Sequence, residues 1–354
     1  MKKKILIIAK YFNLGGTERR IIRIINNLNK QNYDIFLLVK SKENIHPSNL
    51  KYIQLHINII YFNTFNPLLL YFNLKKYGKF DISICLNNFI GLFLSILLKI
   101  SKKVILEGGN RSRSWPLYKK ILDKIFIFPF ADKIFVNSNY SANLVYKLGC
   151  DEKKIAIVKN GFEKIETTEF SKPKEYDSLY LNCVTVSRLH KTKNVENFVE
   201  VFDQLRDYKI KLFIIGGGEE YNNILNKVKS YKLENNIFLL GEKSDFYNYL
   251  IYSDIFLFAS ISEGESLPNS IVEAMSFSLP VIAYDVGGIK ELVIDGYNGF
   301  VVKKNDVNYF ADKIKFFYEN RDIMKKYGEN SRSLFLENFT IDKMIRNFEE
   351  RIIE

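Results

Sequence analysis

Apolar and polar residues alternate along this chain in blocks. Short apolar runs at residues 4–9, 35–39, 57–62, 82–86, 104–106, 134–136 and 155–158 are separated by amphipathic stretches. The clearest of these stretches is 17–28, where Ile21, Ile22, Ile24, Ile25 and Leu28 fall on one helical face. Short continuous apolar runs suit strands buried on both sides of a parallel sheet, and their alternation with helices predicts a doubly wound α/β domain ending near residue 165. Residues 162–177 are rich in Lys and Glu, contain Pro173 and show no hydrophobic period, so they read as a linker. The alternation then restarts, with strands expected at 181–186, 212–215, 237–240, 255–258, 281–283 and 300–302 and helices near 194–205, 219–232, 246–252, 269–277 and 307–319. The last stretch, 327–354, has helical spacing without a further strand. The pattern therefore predicts two α/β domains, 1–165 and 179–330, joined by a linker at 166–178, with a ligand cleft between them and a terminal helix over 331–354. The longest apolar run, 89–98, is too short to span a bilayer and reads as a buried helix.

Composition narrows the class. A chain of 354 residues exceeds one ordinary core, and 47% hydrophobic with 26% charged residues excludes a disordered protein. Lys+Arg outnumber Asp+Glu by 52 to 40, a net charge of +12, which suits phosphorylated ligands, nucleic acid or an anionic membrane. The lysines are spread along the chain with no docking motif, so a nucleic-acid partner is not expected. In the first half, Arg19, Arg20, Lys75, Lys76, Lys102, Lys103, Arg111 and Arg113 stand among many Phe and Tyr residues. That makes an anionic lipid surface a candidate partner, with ordinary solvated charge as the alternative. Cys85, Cys150 and Cys183 lack metal-ligand spacing and read as reduced thiols of a cytoplasmic protein, peripheral on the inner membrane face if the basic half engages lipid. The apolar run at 5–9 is cut by Lys10 and reads as a first strand rather than a signal sequence.

The candidate chemistry centres on SISEGESLPNSIVEAM at 260–275, where Glu265 and Glu273 flank seven residues. A polar loop after a strand, leading into a helix start, is the usual ligand position in α/β folds, and free helix N–H groups suit a diphosphate. Arg188 and Lys193, in SRLHKTKN after the 181–186 strand, offer positive charge from the same domain. Carboxylates beside a diphosphate would repel it, so accepting hydrogen bonds from sugar hydroxyls suits them better than acid–base chemistry. The Gly15-Gly16 turn would let a backbone approach a phosphate, or is a simple tight turn, and the same holds for Gly216-Gly217-Gly218.

Together these residues bring out a resemblance. Residues 263–302, EGESLPNSIVEAMSFSLPVIAYDVGGIKELVIDGYNGFVV, resemble the donor-binding core of family 4 retaining glycosyltransferases, and Arg188 and Lys193 match that family's R-L-x-x-x-K. Looser matches are GGTE at 15–18, Asn160-Gly161, and the FIIGGGEE and LLGEKSD turns. The resemblance implies the GT-B fold, two Rossmann-like doubly wound domains facing across a cleft, with the last helix crossing back to the first. It implies a hexose or N-acetylhexosamine moved with retention from a nucleotide-diphosphate sugar, UDP above all, to a glycan or lipid-linked acceptor of surface polysaccharide. Arg188 and Lys193 would hold the diphosphate without a metal or other cofactor, Glu265 the sugar hydroxyls, and Glu273 the ribose. Gly16, Gly241, Ser266 and Leu267 would complete the donor site. Members with a first-domain histidine differ from this chain, whose LEGGNRSR segment has none; Glu107, Asn110 and Arg111 are the acceptor-side candidates there. Glu265-Ser266 also replaces the Phe-Gly or Gly common near the first glutamate. A sugar-nucleotide epimerase of the same plan and a non-catalytic donor-binding partner subunit are the rival readings.

Overall fold

The structure, a computed structural model, describes residues 2–9, 16–41, 43, 45, 57–62, 66–86, 89–107, 116–164 and 170–353. It divides into two units, Met1–Gly161 with Ile341–Glu354, and Phe162–Thr340.

In the first unit the apolar runs form β1 (Lys3–Ala9), β2 (Tyr33–Val39), β3 (Asn58–Tyr61), β4 (Ile82–Leu86), β5 (Lys102–Leu106), β6 (Lys133–Val136) and β7 (Ile155–Ile157). They pair in parallel in the order β3-β2-β1-β4-β5-β6-β7. Helix α1 (Gly16–Asn27) buries Ile21, Ile24 and Ile25 against one face of this sheet. The other face is covered by α2 (Pro67–Lys75), α3 (Phe89–Leu97), α4 (Leu117–Leu122) with a π-helical turn over Asp123–Ile127, and α5 (Asn139–Lys147), through Leu70, Leu74, Leu92, Leu94, Ile127 and Val145. Pro67 starts α2, where its missing N–H costs nothing, behind an Asn66 side chain that caps Leu68 N at 3.0 Å.

Two expectations for this unit need correction. The 89–98 run forms a helix, but only Gly91, Leu92, Leu94 and Ser95 are buried; Phe89 and Phe93 face solvent. Gly91 sits where an added Cβ would be 3.1 Å from Ile8, so close approach to β1 admits one face only. Arg20 does not belong to a lipid-facing surface either. It is buried, its Nη2 donates to Val158 O at 2.6 Å and more weakly to Val136 O at 3.5 Å, and burial pushes the guanidinium down to about 9. It therefore remains charged at neutral pH.

The second unit repeats the plan. Strands β8 (Leu181–Val186), β9 (Ile210–Ile215), β10 (Ile237–Gly241), β11 (Ile255–Phe258), β12 (Val281–Tyr284) and β13 (Gly299–Val302) pair in parallel in the order β10-β9-β8-β11-β12-β13. Between and after them run α6 (Asn197–Asp203), α7 (Tyr221–Ser230), α8 (Tyr247–Tyr252), α9 (Asn269–Ser276), α10 (Val307–Glu319) and α11 (Arg321–Asn338). The segment read as a linker is anchored at Tyr176, which stacks on Phe213 at 4.1 Å and whose hydroxyl lies 2.7 Å from Ser253 Oγ. The return to the first unit begins at Ile341, because Phe335 and Phe339 on and after α11 are buried in the second unit's core. The final helix, α12 (Ile341–Ile353), buries Met344, Phe348 and Ile352 in the first unit, with Phe348 edge-on to Phe135 at 5.6 Å.

Candidate functional site

In both sheets the chain first winds outward in one direction and then in the other, so each has a point where neighbouring strands send their following loops to opposite sides. That point is where ligands enter open parallel sheets. In the second unit it lies between β8 and β11, and the loops leaving these two strands carry Arg188 with Lys193 and Ser260 with Glu265.

The two loops meet. Lys193 Nζ forms an ion pair with Glu265 Oε1, although 72 residues separate them in sequence, and their side chains are only 20% and 11% exposed. Ser260 Oγ lies 2.7 Å from the same carboxylate oxygen and 3.1 Å from Thr192 O, while Ile261 N donates to Thr192 O at 3.0 Å. Glu265 is thus fixed by a cation and a hydroxyl at one oxygen. Lys193 also lies 5.7 Å from the centroid of the Phe258 ring. The lysine closes a single 3₁₀ turn, Lys191–Lys193, which His190 caps at Thr192 N; Asn194 then turns left-handed, with φ 51°. Arg188 stands exposed on the same loop, and among the described residues no carboxylate pairs with its guanidinium.

Glycines set the backbone of both loops. Gly287 has φ +55°, and a Cβ there would fall 1.9 Å from Glu265 O, while Gly288 N donates to that carbonyl at 2.8 Å. Gly216 and Gly218 do the same for the cation loop: their Cβ positions would lie 1.9 Å from Ser187 O and 2.3 Å from Leu189 O. Leu189 N, in turn, donates to Gly217 O at 2.8 Å. The Gly216–Gly218 cluster is therefore a seat for the Arg188 loop, beyond its role as a turn.

Glu273 is buried on α9, with Ser276 Oγ donating to its carbonyl at 2.6 Å. Helix α9 begins after Pro268, which supplies no side-chain cap, and its start carries the positive end of the helix dipole. Ser266 and Leu267 precede it and are both buried; Leu267 packs in the core, so only its backbone is available to a ligand. Gly241 ends β10 with φ +69° and open space at its Cβ position, and its carbonyl accepts from Gly216 N at 2.8 Å.

The remaining candidates lie in the first unit. Gly16 is the first residue of α1, and Glu107 follows β5; its side chain is buried and its backbone N–H donates to Phe135 O at 2.9 Å. Gly15, Asn110 and Arg111 lie outside the described residues. Ser260, Thr192 and Gly287 were not singled out from the sequence as supports of Glu265. Ser260 opens the 260–275 segment and Gly287 belongs to the Gly-Gly turn noted there, but contact with residues distant in the chain leaves no local signature.

Residues 166–334 match the family model described as "Glycosyl transferases group 1". An uncharacterized glycosyltransferase of Methanocaldococcus jannaschii is 29% identical over 99% of this chain and 98% of its own length. An O-antigen biosynthesis glycosyltransferase of Escherichia coli is 34% identical over 52% of this chain and 51% of its own length. The crystal structure of Anabaena HepE in complex with UDP superposes with a TM-score of 0.87 over 100% of both chains at 19% identity, a likeness of fold. The fold is that of GT-B glycosyltransferases, and residues 166–334, within the second unit, are similar to the group 1 glycosyl transferases.

Proposed function

We propose that this transferase moves a hexose or N-acetylhexosamine, with retention, from UDP-sugar to a glycan or lipid-linked acceptor of a surface polysaccharide. The observation that carries the reading is the contact of Lys193 with Glu265 across the β8–β11 switch point. A cation and a carboxylate held side by side match a ligand that is anionic at one end and rich in hydroxyls at the other. An ammonium has three donors, so Lys193 can keep Glu265 and still reach a phosphate oxygen. Glu265 retains acceptor capacity for sugar hydroxyls. Relatives named for O-antigen and capsular polysaccharide biosynthesis, and fold neighbours solved with UDP, support the substrate class.

In this reading the glycosidic C–O bond loosens toward an oxocarbenium-like state, negative charge grows on the departing diphosphate, and Arg188, Lys193 and the start of α9 stabilise it. The departing phosphate takes the acceptor's proton on the face it leaves. Glu273 holds the ribose hydroxyls, and no metal is required, because fixed cations do the work of a Lewis acid at the leaving group. A panel of UDP- and GDP-sugars with lipid-linked acceptors tests the proposal. Transfer from a UDP-sugar should fall by about 10²–10³ in Arg188→Ala, the size of loss when a charge-stabilising donor is removed, and should also fall in Glu265→Ala, which loses the acceptor for the sugar hydroxyls. Undiminished transfer by both variants contradicts the site, and donor conversion without acceptor identifies an epimerase instead.

A further inference from the structure

The first unit exposes an apolar surface that its own core does not use. Helix α4 and the π-helical turn after it place Leu117, Tyr118, Ile121, Leu122, Ile125 and Phe126 in solvent, every one at least 40% exposed. Their spacing, in pairs four residues apart, makes one continuous stripe along the helix. The opposite side carries the buried Asp123 and Ile127, and Ile127 packs in the core on that face of the sheet. This is an amphipathic helix with an apolar face turned outward. The stripe continues onto the neighbouring helices, where Phe126 meets the exposed Phe89 ring edge-on at 5.5 Å and Phe93 is also exposed. Next to α3, α2 exposes Leu68, Leu69 and Phe72, the last at 67%. An exposed apolar patch of this extent marks a binding surface.

Charge identifies the occupant. Lys119 and Lys124 stand on the same helix as the stripe, Lys75 and Lys76 end α2, and all four are exposed. Asp123 is the one carboxylate on α2, α3, α4 and the π-helical turn, and it is buried. A protein interface would match these lysines with acids of its own kind at a defined register. A stripe of Phe, Leu, Ile and Tyr bordered by lysines alone fits the headgroup and upper acyl region of an anionic leaflet, with long lysine stems reaching phosphates while the rings enter the lipid. Among the described residues no helix is long and apolar enough to cross a membrane, so the contact would be with one leaflet. We infer that α2, α3 and α4 form a monolayer-docking face that seats the first unit on an anionic lipid surface by apolar insertion, with lysines as a secondary attraction. It uses none of the residues of the donor site, and the transferase reading stands or falls without it.

Flotation of the full chain with phosphatidylglycerol–phosphatidylcholine vesicles and with pure phosphatidylcholine vesicles, at low and high salt, tests the inference. Wild type should bind the anionic vesicles and keep part of that binding at high salt, because insertion is not screened. Phe72→Ser with Leu117→Ser and Ile121→Ser should lower the partition at least about tenfold. Leu179→Ser, an equally exposed apolar site in the second unit at 72%, should leave it unchanged. Circular dichroism melts and transfer to a water-soluble acceptor should be the same in all variants, since the altered side chains lie outside the core. Absence of wild-type binding, binding wholly abolished by salt, or full binding by the triple variant would overturn the inference. So would a lipid-free dimer, seen by sedimentation, that the triple variant dissolves, since the face would then belong to a second copy.

Discussion

Lys193 and Arg20 each lie near the carboxyl edge of a parallel sheet, and the two sheets share their strand order through the first six strands. Their surroundings differ. Lys193 sits partly open beside Glu265 and Ser260, on a loop seated on glycines. Arg20, on α1, is buried and donates through Nη2 to Val136 O at the end of β6 and to Val158 O just after β7. A ligand can reach the first cation and not the second. The shared topology thus locates a candidate site in each unit, while side-chain exposure decides which of the two can handle a charged ligand.

The largest effect that would sharpen this contrast comes from Lys193→Ala. It removes the cation and leaves Glu265, a largely shielded carboxylate, without its ion-pair partner, so kcat/KM should drop by about 10³ and the melting temperature should also fall; steady-state transfer assays and thermal melts read this. Gly287→Ala strikes the support without touching either charge. A Cβ at a left-handed φ, 1.9 Å from Glu265 O, must displace the loop, so transfer should fall at least about tenfold and stability by about 1–3 kcal/mol, and urea unfolding read beside activity separates the two. Arg20→Ala should invert the pattern. It empties a fully buried site and strips Val158 O of its donor, costing about 2–4 kcal/mol in urea unfolding of the first unit with UDP affinity unchanged. An Arg20 variant that loses UDP binding while keeping its fold would break the contrast. The smallest effect belongs to Lys290→Ala: its 2.6 Å pair with Asp285 is solvent-exposed on both sides, and the loss should stay within about 0.5 kcal/mol.

The strands were legible because burial on both faces of a parallel sheet demands continuous apolar runs, and β1, β8 and β11 stand where those runs are. Arg188, Lys193, Glu265 and Glu273 could be named from their loops and from the resemblance those loops carry. That Lys193 and Glu265 touch could not, since 72 residues separate them and only the placement of β8 beside β11 brings them together. The outward stripe on α4 was equally hidden. A helical period in a sequence shows that a face is apolar and is silent on whether that face meets the core or the solvent, and the 89–98 run, read as a buried helix from its apolar length, buries one face only. Arg20 was read as a surface charge for the complementary reason: its partners are main-chain carbonyls, which no residue type announces.

The proposed function divides labour within one ion pair, with Lys193 for the diphosphate and Glu265 for the sugar. Calorimetric titration of UDP and of the matching UDP-sugar into wild type and Glu265→Gln addresses it directly. Removing the negative charge frees Lys193, so the variant should bind UDP as tightly as wild type or more tightly, and should lose the additional affinity that the sugar confers. A variant that still prefers the UDP-sugar over UDP by the wild-type margin would contradict the assignment.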